Sequence, residues 1–140
     1  MTSRSVLRRA GLGRSSGRPK LRYYYHVTKK DRVPSILATG LRPSDGVCGN
    51  AVYLWRDEQH AFEYMYANDD VCLRIGTTRV SDDCEEEDYE KEGDSDFYEN
   101  VALMRIGTGK RWRPATIKVI AEGSYWGDTL EYVAEGLDER

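Results

Sequence analysis

The stretch that decides the fold is Tyr25-His26-Val27-Thr28, followed closely by Val33-Pro34-Ser35-Ile36-Leu37-Ala38-Thr39-Gly40-Leu41. Residues 23–27 combine aromatic and polar side chains of good strand propensity, which predicts a strand. Asp31 is predicted to cap the next helix by accepting from its free amides, and Gly40 to end it in the left-handed conformation. The packed face of this helix is predicted to carry Val33, Ile36 and Leu37. A strand with a polar tip beside a short helix predicts one wall of a site.

Outward from this stretch, the pattern predicts one more helix and several strands. Residues 44–50 are predicted to form a loop that leads into a strand at 51–55. Asp57 is predicted to cap a second helix that runs to Ala67. The packed face of this helix is predicted to carry Ala61, Phe62, Met65 and Tyr66. Strands are predicted at 71–75, 101–106, 116–121 and 130–133. Because the helices come early and no βαβ alternation follows, the predicted class is α+β.

Charge divides the chain of 140 residues, whose net charge is −3, into three parts. Residues 1–21 are basic and rich in glycine and serine, which predicts a disordered arm. Residues 22–140 are predicted to form a single domain, within which the strongly acidic segment 82–98 is predicted to be a loop. The arm is predicted either to contact nucleic acid through residues 1–22 or to pair with the acidic loop.

Cysteine usage and hydropathy favour a cytoplasmic protein. Cys48, Cys72 and Cys84 are odd in number and lack CxxC spacing, so the sequence predicts neither a disulfide framework nor a metal site. No apolar run approaches the roughly 20 residues needed to cross a bilayer, so no membrane association is predicted.

Three short segments resemble the ADP-ribosyltransferase superfamily, of the His-Tyr-Glu type. Residues 25–28 with the helix and Gly40 are similar to its first motif, residues 52–54 to its second, and residues 130–133 to its third. The first motif is also similar to those of DNA-thymidine-modifying ADP-ribosyltransferase toxins and RNA 2′-phosphotransferases. The resemblance implies split antiparallel β-sheets with two short helices, NAD as substrate, and no metal.

The resemblance also implies a role for each candidate residue. His26 would hold the adenosine ribose, Val27 would pair with the nicotinamide amide through its backbone, and Thr28 would donate its hydroxyl beside them. Tyr53 would stack on nicotinamide, with Tyr64 or Tyr66 on its other face. Each of these side chains also suits an ordinary packing role in a strand or helix.

Glu131 is the predicted catalytic residue. Its carboxylate would accept from the nicotinamide-ribose hydroxyl and stabilise the positive charge that develops as the glycosidic bond breaks. Glu135 is a rival, because residues four apart in a strand point to the same face. An outward-facing strand carboxylate is the alternative interpretation.

The resulting hypothesis is an NAD-dependent mono-ADP-ribosyltransferase of the toxin or effector type found in bacteria and phages, with a protein or nucleic-acid acceptor. The alternative from another class is a catalytically degenerate module of the same fold that binds a protein or nucleic-acid partner. A third hypothesis is an NAD hydrolase, which would release nicotinamide without labelling a macromolecule.

Overall fold

A computed structural model describes residues 20–46, 48–84 and 99–133. The predicted arm up to residue 19, residues 85–98 of the predicted acidic loop, and Glu135 lie outside these residues. The strands are β1 (Arg22–Lys29), β2 (Ser44–Gly46), β3 (Gly49–Trp55), β4 (Asp70–Thr77), β5 (Val101–Met104), β6 (Thr116–Glu122) and β7 (Glu131–Tyr132). The α-helices are α1 (Val33–Thr39), which follows a 3-10 turn at Lys30–Arg32, and α2 (Glu58–Glu63). The predicted α+β class is confirmed at this level.

The strands form a seven-stranded antiparallel sheet. Six of them follow the order β2-β3-β1-β4-β6-β7, and β5 pairs with β3 outside this order. The strands β1 and β4 pair over their whole length, from Arg22 to Lys29. In contrast, β1 and β3 are joined by the single pair Tyr25–Trp55. The sheet is therefore two antiparallel groups of strands that meet at one residue pair.

Each face of the sheet carries its own apolar core. On one face, α1 packs through Val33 and Ile36 against a core that includes Leu41 and Trp112. Leu41 and Trp112 also pair through their backbones, with N–O distances of 2.8 Å in both directions. On the other face, α2 supplies buried residues to a second core. These residues are Ala61 and Phe62, with Met65 just beyond the helix.

The caps and the packed faces of the two helices agree with prediction only in part. Asp57 caps α2 as predicted, accepting from the His60 amide at 2.9 Å. The prediction for Asp31 is wrong, because this residue lies within the 3-10 turn and no side chain caps α1. Leu37 and Tyr66 are exposed rather than packed, and α2 ends at Glu63 instead of Ala67.

Two further expectations are corrected. Residues 44–46 form a strand, not a loop, because they pair with β3 as a hairpin. The prediction of no disulfide is also wrong, since Cys48 and Cys84 are bonded to each other while Cys72 is free and buried. The bond ties the β2–β3 hairpin to the beginning of the acidic segment 82–98. Among the described residues, no helix is long and apolar enough to span a membrane.

Candidate functional site

A groove of about 470 Å³ lies between the end of β1, the 3-10 turn and α1. His26 and Thr28 line it from β1, and Ile36, Gly40 and Leu41 form its apolar side. The polar tip of the opening stretch and the helix that follows it therefore line a single cavity.

His26 occupies the point where β1 and β3 separate. Its Nδ1 atom lies 3.0 Å from the backbone carbonyl oxygen of Tyr53. A carbonyl can only accept, so Nδ1 carries the proton, and the neutral ring presents Nε2 as an acceptor. Burial lowers the pKa of His26. The hydrogen bond to Tyr53 raises this pKa, whereas the positive charge of Arg32 lowers it. The ring is therefore neutral at pH 7.

This side-chain hydrogen bond replaces a strand ladder. Continuing the antiparallel register from the pair Tyr25–Trp55 would bring Val27 opposite Tyr53, but no such pair forms. The strands diverge there, and the His26 ring hydrogen-bonds to the Tyr53 carbonyl. The polar side chain at position 26 thus supplies a hydrogen bond between the two strands at the point where they diverge.

Three arginines surround the groove, namely Arg32, Arg42 and Arg111, with Asp31 as the acidic residue in its lining. Arg111 donates to the Thr39 hydroxyl at 3.0 Å, which fixes it against the end of α1. Arg32 and Arg42 make no hydrogen bond or ion pair with another residue in the described ranges. Their guanidinium groups are therefore available to an anion.

None of these three arginines belongs to the motifs that the sequence suggests. Arg42 directly follows Gly40 and Leu41, so its place beside the first motif was visible in the chain. Arg111 comes from the distant segment before Trp112, which the backbone pairing of Leu41 with Trp112 brings to the groove.

Tyr53 and Tyr64 lie on the other face of the sheet, packed against the core beneath α2. The Tyr53 hydroxyl donates to the Gly49 carbonyl at 2.6 Å and accepts from the Cys48 amide at 3.1 Å. Tyr64 stacks on Trp55 with ring centroids 4.5 Å apart. Neither ring lines the groove that contains His26.

Val27 pairs with Cys72 in the β1–β4 ladder, and its half-buried side chain packs on the same core as Tyr53 and Tyr64. Thr28 pairs with Val71, and its side chain points into the groove. The predicted residues are therefore divided between the two faces of the sheet.

Glu131 is exposed on β7, at the edge of the sheet. It pairs with Glu122, which pairs with Val71, which pairs with Thr28. Paired residues share a face, so Glu131 and Thr28 point to the same side. They are three strand spacings apart, or roughly 14 Å.

No group of three or more histidine, cysteine or acidic residues in the described ranges could hold a metal ion. No family model matches this chain, and no curated protein or solved structure matches it either.

Proposed function

We propose that this chain binds NAD in the groove beside His26 and is a mono-ADP-ribosyltransferase. The observation that carries the proposal is the convergence of a neutral histidine, a threonine hydroxyl and three arginines around one cavity. These groups complement a ribose and a diphosphate.

The arginines account for the diphosphate. Guanidinium groups bind phosphate oxygens through paired, charge-assisted hydrogen bonds. Arg32 and Arg42 have no competing acidic partner among the described residues, and Arg111 is held beside them by Thr39. The groove therefore presents three positive charges against the single negative charge of Asp31.

His26 and Thr28 account for a ribose. The unprotonated Nε2 atom of His26 accepts from a ribose hydroxyl, while the Thr28 hydroxyl can donate or accept. Because the His26 ring is anchored through Nδ1 to Tyr53, its orientation is set before the ligand arrives. This arrangement suits the role that the first motif implies.

The narrow join between the two strand groups also supports the proposal. A sheet that splits at Tyr25–Trp55 is what an ADP-ribosyltransferase-like fold leads us to expect. The divergence exposes the polar tip of β1, and the groove lies directly beside it.

In the proposed reaction, the bond between nicotinamide and C1′ of ribose breaks, and nicotinamide leaves with the bonding electron pair. A nucleophilic atom of the acceptor then bonds to C1′ and loses its proton. Glu131 would stabilise the positive charge on the ribose and accept from its hydroxyl. For this, the nicotinamide end of NAD must extend from the groove across the face that Thr28 and Glu131 share.

A second candidate is a module of this fold that binds NAD or a related anion without cleaving it. The positions of Tyr53 and Glu131 favour this candidate. The Tyr53 ring is engaged on the opposite face, and Glu131 lies about three strand spacings from the groove.

One assay separates these two candidates from each other and from an NAD hydrolase. The full chain is incubated with NAD and cell extract, and both nicotinamide release and labelling of macromolecules are measured. A transferase gives both signals, a hydrolase gives release alone, and a binding module gives neither although calorimetry detects NAD binding.

Matched variants then test the catalytic assignment. Glu131→Gln should abolish release while NAD binding persists, and Glu63→Gln on α2, which packs on the opposite face of the sheet, should leave release unchanged. Full activity in Glu131→Gln would overturn the role of this residue.

A further inference from the structure

An exposed aromatic surface lies away from the groove, on the solvent side of α2. We define this acidic aromatic surface by Glu58, Gln59 and Glu63 of α2, together with Tyr125, Trp126 and Tyr132. Trp126 and Tyr132 are each 64% exposed, and Tyr125 is 37% exposed. Large exposed aromatic side chains that contact one helix, as these three contact α2, are typical of interaction sites.

Hydrogen bonds hold these side chains in place. Trp126 Nε1 donates to the Glu63 carbonyl at 2.8 Å, and the ring meets Tyr125 edge-on at 5.1 Å. Gln59 donates to the Tyr125 hydroxyl at 3.1 Å and to the Glu63 carboxylate at 3.1 Å. The rings are thus fixed before a partner binds, which reduces the entropy lost on binding.

Tyr132 extends the surface along α2. Its ring packs edge-on against Phe62 at 5.5 Å, and its hydroxyl donates to the Glu58 carboxylate at 3.3 Å. Burial raises the pKa of Tyr132, and the negative charge of Glu58 raises it further. The hydroxyl therefore remains protonated and continues to hold Glu58 at neutral pH.

The charge of the surface indicates the kind of partner. Neither Glu58 nor Glu63 forms an ion pair with another residue of the described ranges. Aromatic faces attract ammonium and guanidinium groups, and adjacent carboxylates pair with the same groups. The phosphates of a nucleic acid would instead be repelled.

We propose that the acidic aromatic surface binds an arginine- or lysine-containing peptide segment of a partner protein. A cationic side chain stacks on Trp126 and pairs with Glu63, while Glu58 and Tyr132 hold a second one. This proposal does not depend on NAD chemistry in the groove.

Calorimetric titration of the full chain tests it with two probes: a short peptide of alternating arginine and glycine, and the same peptide with citrulline in place of arginine. Citrulline keeps the shape but removes the charge. We expect the arginine peptide to bind about tenfold more tightly, with an affinity that falls as salt is added. Equal affinities for the two peptides would overturn the proposal.

Variants locate the binding. Trp126→Ala should weaken binding of the arginine peptide about fivefold, whereas Trp126→Phe keeps an aromatic face and most of the affinity. Leu37→Ala removes an exposed apolar side chain from α1 and should change nothing. The outcome that would contradict the location is equal binding by Trp126→Ala and the wild type.

Charge variants separate this surface from a general effect of net charge. Replacing Glu58 and Glu63 with glutamine together should weaken binding about tenfold, and Glu99→Gln, an exposed carboxylate elsewhere, should not. An equal loss of peptide affinity in the Glu58/Glu63 double variant and in Glu99→Gln would overturn the proposal. Binding of an oligonucleotide through Trp126 would also overturn it.

Discussion

The side chain of His26 donates from Nδ1 to the backbone carbonyl of Tyr53 at 3.0 Å, at the point where β1 and β3 part. This contact joins two residues that the sequence assigns to separate motifs, but through the backbone of Tyr53 and not its ring. A side-chain hydrogen bond thus joins the two strands where their backbone pairing ends.

The first prediction concerns the pH dependence that His26 gives to stability. Because its pKa is lowered in the folded protein, the unfolded chain takes up a proton near pH 6.5 that the folded chain does not. Stability should therefore fall as the pH decreases below about 6.5, by at most about 1.4 kcal/mol per pH unit. His26→Gln should remove this contribution in urea unfolding at a series of pH values. Identical pH profiles for the two proteins would contradict it.

The second prediction concerns Asp70, a buried carboxylate at the start of β4. It pairs with Lys29 at 2.8 Å and accepts from the amides of Tyr66 and Ala67 at 2.8 and 2.9 Å. Asp70→Asn should lower the free energy of unfolding by about 2 kcal/mol, because buried donors lose a charged acceptor. Asp69 is exposed and also pairs with Lys29, and Asp69→Asn should lower the free energy of unfolding by less than about 0.5 kcal/mol.

The acid response of Asp70 provides a further readout of the same contact. Burial raises its pKa, but the hydrogen bonds from Lys29, Ala67 and Tyr66 outweigh burial and hold the pKa below its usual value. Its contribution should be fully present above about pH 4 and lost as the pH falls through the lowered pKa. The difference in free energy of unfolding between the wild type and Asp70→Asn should therefore become smaller in acid. A difference that stays constant with pH would argue against this explanation.

The third prediction concerns Gly40, which borders the groove with φ +96°. A Cβ atom there would lie 2.5 Å from the carbonyl oxygen of Trp112, which accepts from the Leu41 amide. Gly109 also has a positive φ, but its Cβ would meet nothing within 4 Å. In thermal or urea unfolding, Gly109→Ala should lower the free energy of unfolding by about 1 kcal/mol, and Gly40→Ala should lower it clearly more. Equal costs would show that the contact with Trp112 does not matter.

The fourth prediction concerns the cysteines. Cys48 and Cys84 close a loop with a sequence separation of 36, so reduction should lower the free energy of unfolding by about 2–4 kcal/mol. Cys72 should resist alkylation in the folded state, because burial raises its pKa to about 12. Peptide mapping without reductant checks the pairing, and any linkage that includes Cys72 would contradict it.

The local elements could be predicted from the sequence where side-chain chemistry acts over a few residues. Gly40 ends α1, and Asp57 caps α2 through the His60 amide, because both roles depend on neighbouring backbone alone. Asp31 failed as a cap because Lys30–Arg32 form a 3-10 turn before the helix. The extent of α2 was overestimated for a similar reason, since the chain turns at Tyr64 and leaves Tyr66 exposed.

The features that depend on distant partners could not be predicted. Ser44–Gly46 is a strand only because β3 lies beside it, and Cys48 meets Cys84 only when the hairpin folds. Period-two alternation indicates that residues alternate between faces, yet it does not say which face is buried by which helix. His26 and Tyr53 were therefore expected in one cleft, whereas their side chains lie on opposite faces.

The most direct test of the central claim is a calorimetric titration of the full chain with NAD, comparing the wild type with Arg42→Ala and Arg22→Ala. Arg42 lines the groove without a bonded partner among the described residues, and Arg22 is exposed at the opposite end of β1. We predict that NAD binds the wild type, that Arg42→Ala weakens binding about tenfold, and that Arg22→Ala leaves it unchanged. Absence of NAD binding, or an equal loss in both variants, would contradict the account.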